Sequence, residues 1–356
     1  MDIYVLNSDN DILDVVDSYK STIWDLSYNA VGEFELYIEA NAKNVRLLKN
    51  GNRLVRDIDI INDEMYHVMM IKKVELITDE EDGDNLVVTG QDLKSIVYQR
   101  IVWSQTILSG TVESCIKKLI YENIISPDIT SRRIDNFILC LPNLFLGNLK
   151  QQITGDNLGD VVSNILKTSQ AGWDIYIDRN NNYVMTIYAG LDRSISQNIN
   201  PQVIFSDDNE NIISDTYTLD YSNYKNIVVV AGEGEGLARR RVVAGKDTKG
   251  LDRYETYKDA RDVSSNNGDI SDVDYDDMLI ETGNDNLSEL SFVEKYDGKI
   301  ETNGMYVYGK HYNLGDIVTV VNKYGITANP RITGVIESVS DDGVIVVPSL
   351  STWIGG

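Results

Sequence analysis

The chain has 356 residues, 42% hydrophobic and 25% charged, an ordinary globular composition with room for two or three domains. A net charge of −24, from 32 basic against 56 acidic residues, argues against a nucleic-acid-binding module, because such a surface repels phosphate. No apolar run approaches the roughly 18 residues of a membrane span, and the acidic start Met1-Asp2-Ile3-Tyr4 lacks the basic region of a secretion signal, so synthesis in the cytoplasm is expected.

Residues 1–100 read as strands with polar turns. Leu13, Val15 and Val16 begin one strand, and 21–28 and 32–38 form a pair. In the second of these, Phe34, Leu36 and Ile38 alternate with Glu33, Glu35, Tyr37 and Glu39, the period of a half-buried strand. A short helix is predicted over 41–48. Strands 66–77 and 86–90 flank the acidic turn 79–84, whose carboxylates lack the ligand spacing of a calcium loop and read as a solvated hairpin tip.

From 92 the pattern turns helical. A short capped helix covers 92–97, and a longer one 111–125 carries Val112, Ile116, Leu119 and Ile120 on one face. A third covers 156–170, with Leu158, Val161, Val162, Ile165 and Leu166 in line and Gly172 as its C-cap. A hairpin follows, 173–178 and 183–188, across Arg179-Asn180-Asn181-Asn182. This region, 101–200, reads as an α/β insertion.

After 203 the chain is β-rich again, with strands 214–221, 226–232 and 237–244. Gly232-Glu233-Gly234-Glu235-Gly236 is a hairpin turn rather than a phosphate cradle, because a strand follows it and its glutamates repel a pyrophosphate. Gly245-Lys246-Asp247-Thr248-Lys249-Gly250 has the wrong order for a P-loop. An acidic helix is predicted over 269–283 with Ser271 as N-cap, and the rest is β, over 291–301 and then 316–347.

One β-pattern occurs twice. Leu54-Val55, then Val68, Ile71, Val74 and Glu75, then Asp82-Gly83 and Leu86-Val87-Val88 match Ile317-Val318, then Ile332, Val335, Ile336 and Glu337, then Asp342-Gly343 and Val344-Ile345-Val346. A chain that presents one surface twice shows six similar surfaces as a trimer, enough to cap a six-fold ring.

No catalytic constellation stands out. There is no Gly-x-Ser-x-Gly elbow, no His-Glu-x-x-His and no Cys with a positioned His. His67 and His311 sit in strand-like surroundings without a second ligand type, so neither a zinc site nor histidine acid–base catalysis is expected. Cys115 reads as a small buried hydrophobe, and no disulfide with Cys140 is expected. The reading is of a protein that is not an enzyme, with no cofactor and no catalytic or metal-binding residues. The excess acid serves solubility or lines a channel that DNA slides through; composition alone leaves both open.

Several motifs, in order, resemble the siphovirus gene-product-37-like tail protein family over nearly the whole chain. They are Ser21-Thr22-Ile23-Trp24, Val31-Gly32-Glu33-Phe34, Val88-Thr89-Gly90-Gln91-Asp92-Leu93, Gly155-Asp156-Asn157-Leu158, Tyr188-Ala189-Gly190-Leu191-Asp192-Arg193, Val230-Ala231-Gly232-Glu233-Gly234, Gly250-Leu251-Asp252-Arg253, Asp259-Ala260-Arg261-Asp262 and Leu314-Gly315-Asp316-Ile317. The resemblance implies a baseplate or tail-tip hub of a phage or a phage tail-like bacteriocin. The implied fold is β-rich α+β: a tube-like β-barrel over 1–100, the α/β insertion over 101–200, and a second tube-like β-barrel over 201–356 that includes the acidic helical segment near 269–290. It also implies a homotrimer joining the hexameric tail tube to a central spike, with other baseplate or distal tail proteins and the tape measure protein as further partners. Family hubs that extend further carry lytic or receptor-binding domains. This chain ends after its last strand, so a separate protein is expected to supply such activity. The other reading is a tip protein that itself cleaves cell wall or binds a surface sugar.

Overall fold

The computed structural model describes residues 1–80, 83–209, 211–300, 305–341 and 343–352. Its centre is an eleven-stranded sheet. We number its strands β1 (Ile3–Leu6), β2 (Ile12–Val16), β3 (Ser21–Ser27), β4 (Glu33–Glu39), β5 (Arg53–Arg56), β6 (Met69–Ile77), β7 (Asn85–Asp92), β8 (Ile212–Asp220), β9 (Val293–Ile300), β10 (Arg331–Ser340) and β11 (Gly343–Thr352). Their spatial order is β8-β9-β11-β10-β3-β4-β7-β6-β5-β1-β2. The period-2 pattern gives the sheet its two faces. Trp24, Leu26, Phe34, Leu36, Ile38, Leu86 and Val88 point into a core, with Trp24 opposite Phe34 and their ring centres 5.9 Å apart. Asp25, Glu33 and Glu35 point the other way. Helix α1 (Ala42–Leu47) follows β4, its first turn capped by the Asn41 side chain, which accepts from the Lys43 and Asn44 N–H groups.

The predicted pair of separate barrels is not what the chain forms. Among the described residues there is no closed barrel, and both copies of the repeated pattern lie in the one sheet. This holds for the hairpins β6–β7 and β10–β11; Leu54-Val55 is in β5 of the sheet, but its match Ile317-Val318 is not, Ile317 making only isolated bridges to Asp192 and Arg331. Gly83 and Gly343 take φ of +74° and +111°, and Glu81, Asp82 and Asp342 lie outside the described residues. What joins the halves is an antiparallel ladder between β10 and β3, from Gly334 opposite Ser27 to Ser340 opposite Ser21. Local periodicity carries no information about this pairing, because it is made between opposite ends of the chain.

The insertion holds helices α2 (Val112–Ile120) and α3 (Leu158–Thr168) over a core of Ile116, Leu119, Leu158, Val162 and Trp173. Thr111 and Asn157 cap them. Two details depart from expectation. Residues Tyr121–Ile125 form a π turn instead of a last α-turn. Gly172 is not a C-cap: Gln170 takes the left-handed position (φ +58°), and Gly172 opens the strand Gly172–Ile177. A Cβ there would lie 2.2 Å from the Tyr28 ring. Tyr28 is the contact between insertion and sheet, its hydroxyl lying 3.2 Å from both the Gln170 and Tyr188 carbonyl oxygens.

Helix α4 (Asp272–Glu289), capped by Ser271 as predicted, packs through Tyr275, Met278 and Leu279 on a three-stranded sheet of Ile227–Ala231, Arg241–Gly245 and Glu255–Asp259. Its other side meets the insertion. Lys150 pairs with Asp274 and, at 3.3 Å, with Asp277, and the Gln151 amide donates to Asp285 at 2.6 Å. Burial, with Glu281 and Glu289 adding to it, pushes Asp285 up to about 7. A carboxyl raised in the folded state contributes stability at acid pH that is lost as pH rises through that value. The melting temperature should therefore fall between about pH 4 and 7 and level off above that, and Asp285→Asn should flatten that slope. A slope unchanged in the variant would assign it elsewhere.

Candidate assembly site on the open sheet

Eight of the eleven strands fall into two groups of four, β8-β9-β11-β10 and β3-β4-β7-β6. Shifting the sheet by four strands places β10–β11 on β6–β7 and puts β3 in the position of β8. Within one chain, β10 has β3 as its outer neighbour. Its counterpart β6 meets β5 only at Met69 and Met70, so among the described residues 72–77 have β7 on one side and no strand on the other. β8, the counterpart of β3, ends the sheet on the other side. On β6, Val74, Leu76 and Ile77 are 37%, 58% and 46% exposed. A long apolar edge is what a strand protein avoids unless another strand covers it.

The open face of the sheet is acidic. In register across it stand Asp25 with Glu33, Glu35 with Thr89, Thr89 with Lys73, and Glu39 with Asn85. Asp25, Glu33, Glu35 and Lys72 line a shallow hollow of about 750 Å³. Burial, and then the neighbouring Glu33, hold the Asp25 carboxyl above its ordinary range.

Beneath the β10–β3 junction lies a buried ion cluster. Arg56, 2% exposed, bonds Asp59 through Nε at 2.5 Å and Glu337 of β10 through Nη1 at 3.1 Å, and its guanidinium lies 4.7 Å over the Trp24 ring. His67 Nδ1 is 2.8 Å from Asp59, and Nε2 is 3.8 Å from Asp174 of the insertion. Burial works against the charge on all three groups, and the partners outweigh it. Asp59 and Glu337 hold Arg56 above its ordinary value, Asp59 and Asp174 raise His67, and His67 and Arg56 lower Asp59. His67 is therefore not a strand residue as its sequence context suggests; it sits in a turn at φ +47° and ties three parts of the chain together. His311 also lies in a turn, where Nδ1 accepts from the Val307 N–H.

The motifs that carry the family resemblance are chain crossings. Asp92 accepts from the Gly32 N–H at 2.8 Å and caps the Lys94 N–H at 3.0 Å. Asp316 accepts from the Leu191 N–H, from Arg193 Nε and from the Asn313 N–H, at 2.7, 2.7 and 2.9 Å. Gly190 and Gly315 cross so closely there that a Cβ on Gly190 would stand 1.9 Å from the Gly315 carbonyl. Arg239 binds the Gly232 and Ala231 carbonyls and pairs with Asp259 at 2.5 Å. These residue types build junctions. Among the described residues no group of His, Cys, Asp and Glu is arranged to hold a metal, and no helix is long and apolar enough to cross a membrane.

The profile of the Siphovirus ReqiPepy6 Gp37-like protein family matches residues 2–350. No curated protein matches the sequence. The fold is that of phage tail proteins. It superposes on the prophage MuSo2 43 kDa tail protein from Shewanella oneidensis with a TM-score of 0.60 at 13% identity, covering 98% of each chain. It superposes on a tail protein from Neisseria meningitidis MC58 with a TM-score of 0.58 at 15% identity, covering 98% of this chain and 96% of that one. For prophage tail protein gp18 from Listeria monocytogenes EGD-e the TM-score is 0.56 at 11% identity, covering 98% and 94%.

Proposed function

Because the chain belongs to the Siphovirus ReqiPepy6 Gp37-like protein family, we propose that it is a structural hub of a phage tail or tail-like particle, a homotrimeric adaptor between the hexameric tail tube and a central spike. The observation that carries this reading is the repeated four-strand unit with one internal junction and two open ends. Setting β6 of one copy against β8 of the next repeats the β10–β3 junction between chains. Such a head-to-tail contact closes into a ring or runs on as a fibre. Three copies carry six units, and six units match a six-fold tube. The two tube-like modules are then halves of a ring wall rather than barrels closed within one chain. Other baseplate or distal tail proteins and the tape measure protein are the further partners, and the work of the hub is mechanical rather than catalytic. Light scattering on the purified chain, alone or with its spike, should give three times the chain mass. A dimer or hexamer as the sole assembled form would overturn the ring.

In this ring the acidic face lines the lumen. Asp25, Glu33, Glu35, Glu39 and Glu75 against Lys72 and Lys73 leave about three negative charges on the β3-β4-β7-β6 unit of each chain, counted from the register, and like charge keeps a DNA backbone from sticking. The wild-type ring should flow through immobilised DNA even at low salt. Asp25→Lys, Glu33→Lys and Glu35→Lys together should cause retention that salt reverses. Retention of the wild type would exclude the channel role.

A further inference from the structure

A second feature lies in the insertion, a part of the chain that contributes no strand to the main sheet. The π turn Tyr121–Ile125 swings Asn123 inward, where it is 2% exposed and donates to the Leu119 carbonyl at 2.9 Å. Its Oδ1 accepts from the Trp103 N–H at 3.2 Å and faces both Arg132 Nη atoms at 3.4 Å. Arg132 in turn donates to the Ile101 carbonyl at 2.7 Å and lies 5.0 Å from the centre of the Trp103 ring. Trp103 is thus held by its backbone and by a guanidinium, yet the residue is 55% exposed. A large aromatic side chain is fixed in place and left open to solvent.

Trp103, with Asn123 and Arg132, is part of the lining of a pocket of about 260 Å³, smaller than the roughly 300–1,000 Å³ of a drug-sized site. It has room for one ring. Ser104, Gln105, Ser126 and Asp128 line it, and none of their side chains has a bonding partner among the described residues. Glu122 accepts only a long bond, 3.4 Å, from Thr106. Two carboxylates at the mouth oppose an anion, and Arg132 against the indole opposes a cation at that face. An uncharged ligand remains, with an apolar face for the indole and a rim of hydroxyls for the carboxylates, amide and serines.

We propose that this pocket binds a single pyranose ring of a neutral saccharide, its C–H face on Trp103 and its hydroxyls on Asp128 and Glu122. The test uses the purified full chain with the methyl glycosides of glucose, galactose and N-acetylglucosamine, read by ligand saturation-transfer NMR. At least one should bind saturably with a dissociation constant in the millimolar range, about 1 mM for a contact of this size. Trp103→Ala and Asp128→Ala should each weaken it at least tenfold. Where Trp103→Ala does not fold, Asp128→Ala decides. No transfer to any of the three sugars, or binding undiminished in the folded variants, overturns the assignment. The readout does not depend on oligomeric state, so its failure leaves the ring untouched, and failure of the ring leaves the pocket untouched.

Discussion

Val74→Glu combined with Leu76→Glu should convert the proposed trimer into a folded monomer. Both side chains sit on the open edge of β6, 37% and 58% exposed, so little native packing is lost within the chain. In the proposed ring the same residues would face β8, whose sequence Ile212-Ile213-Ser214-Asp215-Thr216-Tyr217-Thr218-Leu219-Asp220 holds two acids and no cation. Burying a Leu or Val side chain is worth about 1.5–3 kcal/mol. Losing two such contacts at each junction, and gaining like charge, should raise the dissociation constant at least about a hundredfold, since each 1.4 kcal/mol is a factor of ten. Light scattering at micromolar concentration reads the mass, and circular dichroism checks that the monomer is folded. A variant that stays trimeric places the junction elsewhere on the chain. Glutamates at Leu237 and Leu251, fully exposed and in neither edge strand, are the control and should leave the mass unchanged.

Arg56→Met should destabilise the chain by about 3–5 kcal/mol, the usual result of breaking a buried ion pair from one side. The cost comes from Asp59 and Glu337, which stay buried without their cation, at 8% and 14% side-chain exposure. Adding Asp59→Asn and Glu337→Gln should therefore recover part of the loss, because neutral amides leave less charge buried. Denaturant midpoints measure this directly. If Arg56→Met alone melts like wild type, the cluster is not what holds β10 over the first half of the sheet. The cluster also sets a pH window. Asp59 is lowered, so its contribution is present above the ordinary carboxylate range and is lost as pH falls through its folded value. His67 is raised, so its contribution is complete below the ordinary histidine value and is lost as pH rises through its own folded value. Stability should peak between the two, and His67→Gln should remove the alkaline limb and shrink the acid limb, since Arg56 is then left to lower Asp59.

Much of the chain was legible because the deciding forces act over a few residues. Alternation in 33–39 set which face of β4 is buried, since successive side chains of a strand point to opposite sides. Asn41, Thr111, Asn157 and Ser271 cap helices because each side chain accepts an N–H two or three residues ahead. The repeated hairpins could be read for the same reason, each being a strand, a turn and the next strand. The partners of those hairpins could not. Whether β10 closes on its own half or pairs with β3 depends on which faces find cover, and Ser27 and Gly334 meet from opposite ends of the chain. The same holds for His67, which looked like a strand residue until Asp59 and Asp174 were brought to its two nitrogens. It holds for Gly172, whose missing side chain makes room for Tyr28, a residue far away in sequence. Sequence alone determined most of the strands and the Ser271 cap of this protein, because their energies are local. The single sheet, the buried cluster and the two open edges were decided only by tertiary structure, because each exists where distant segments exclude water together.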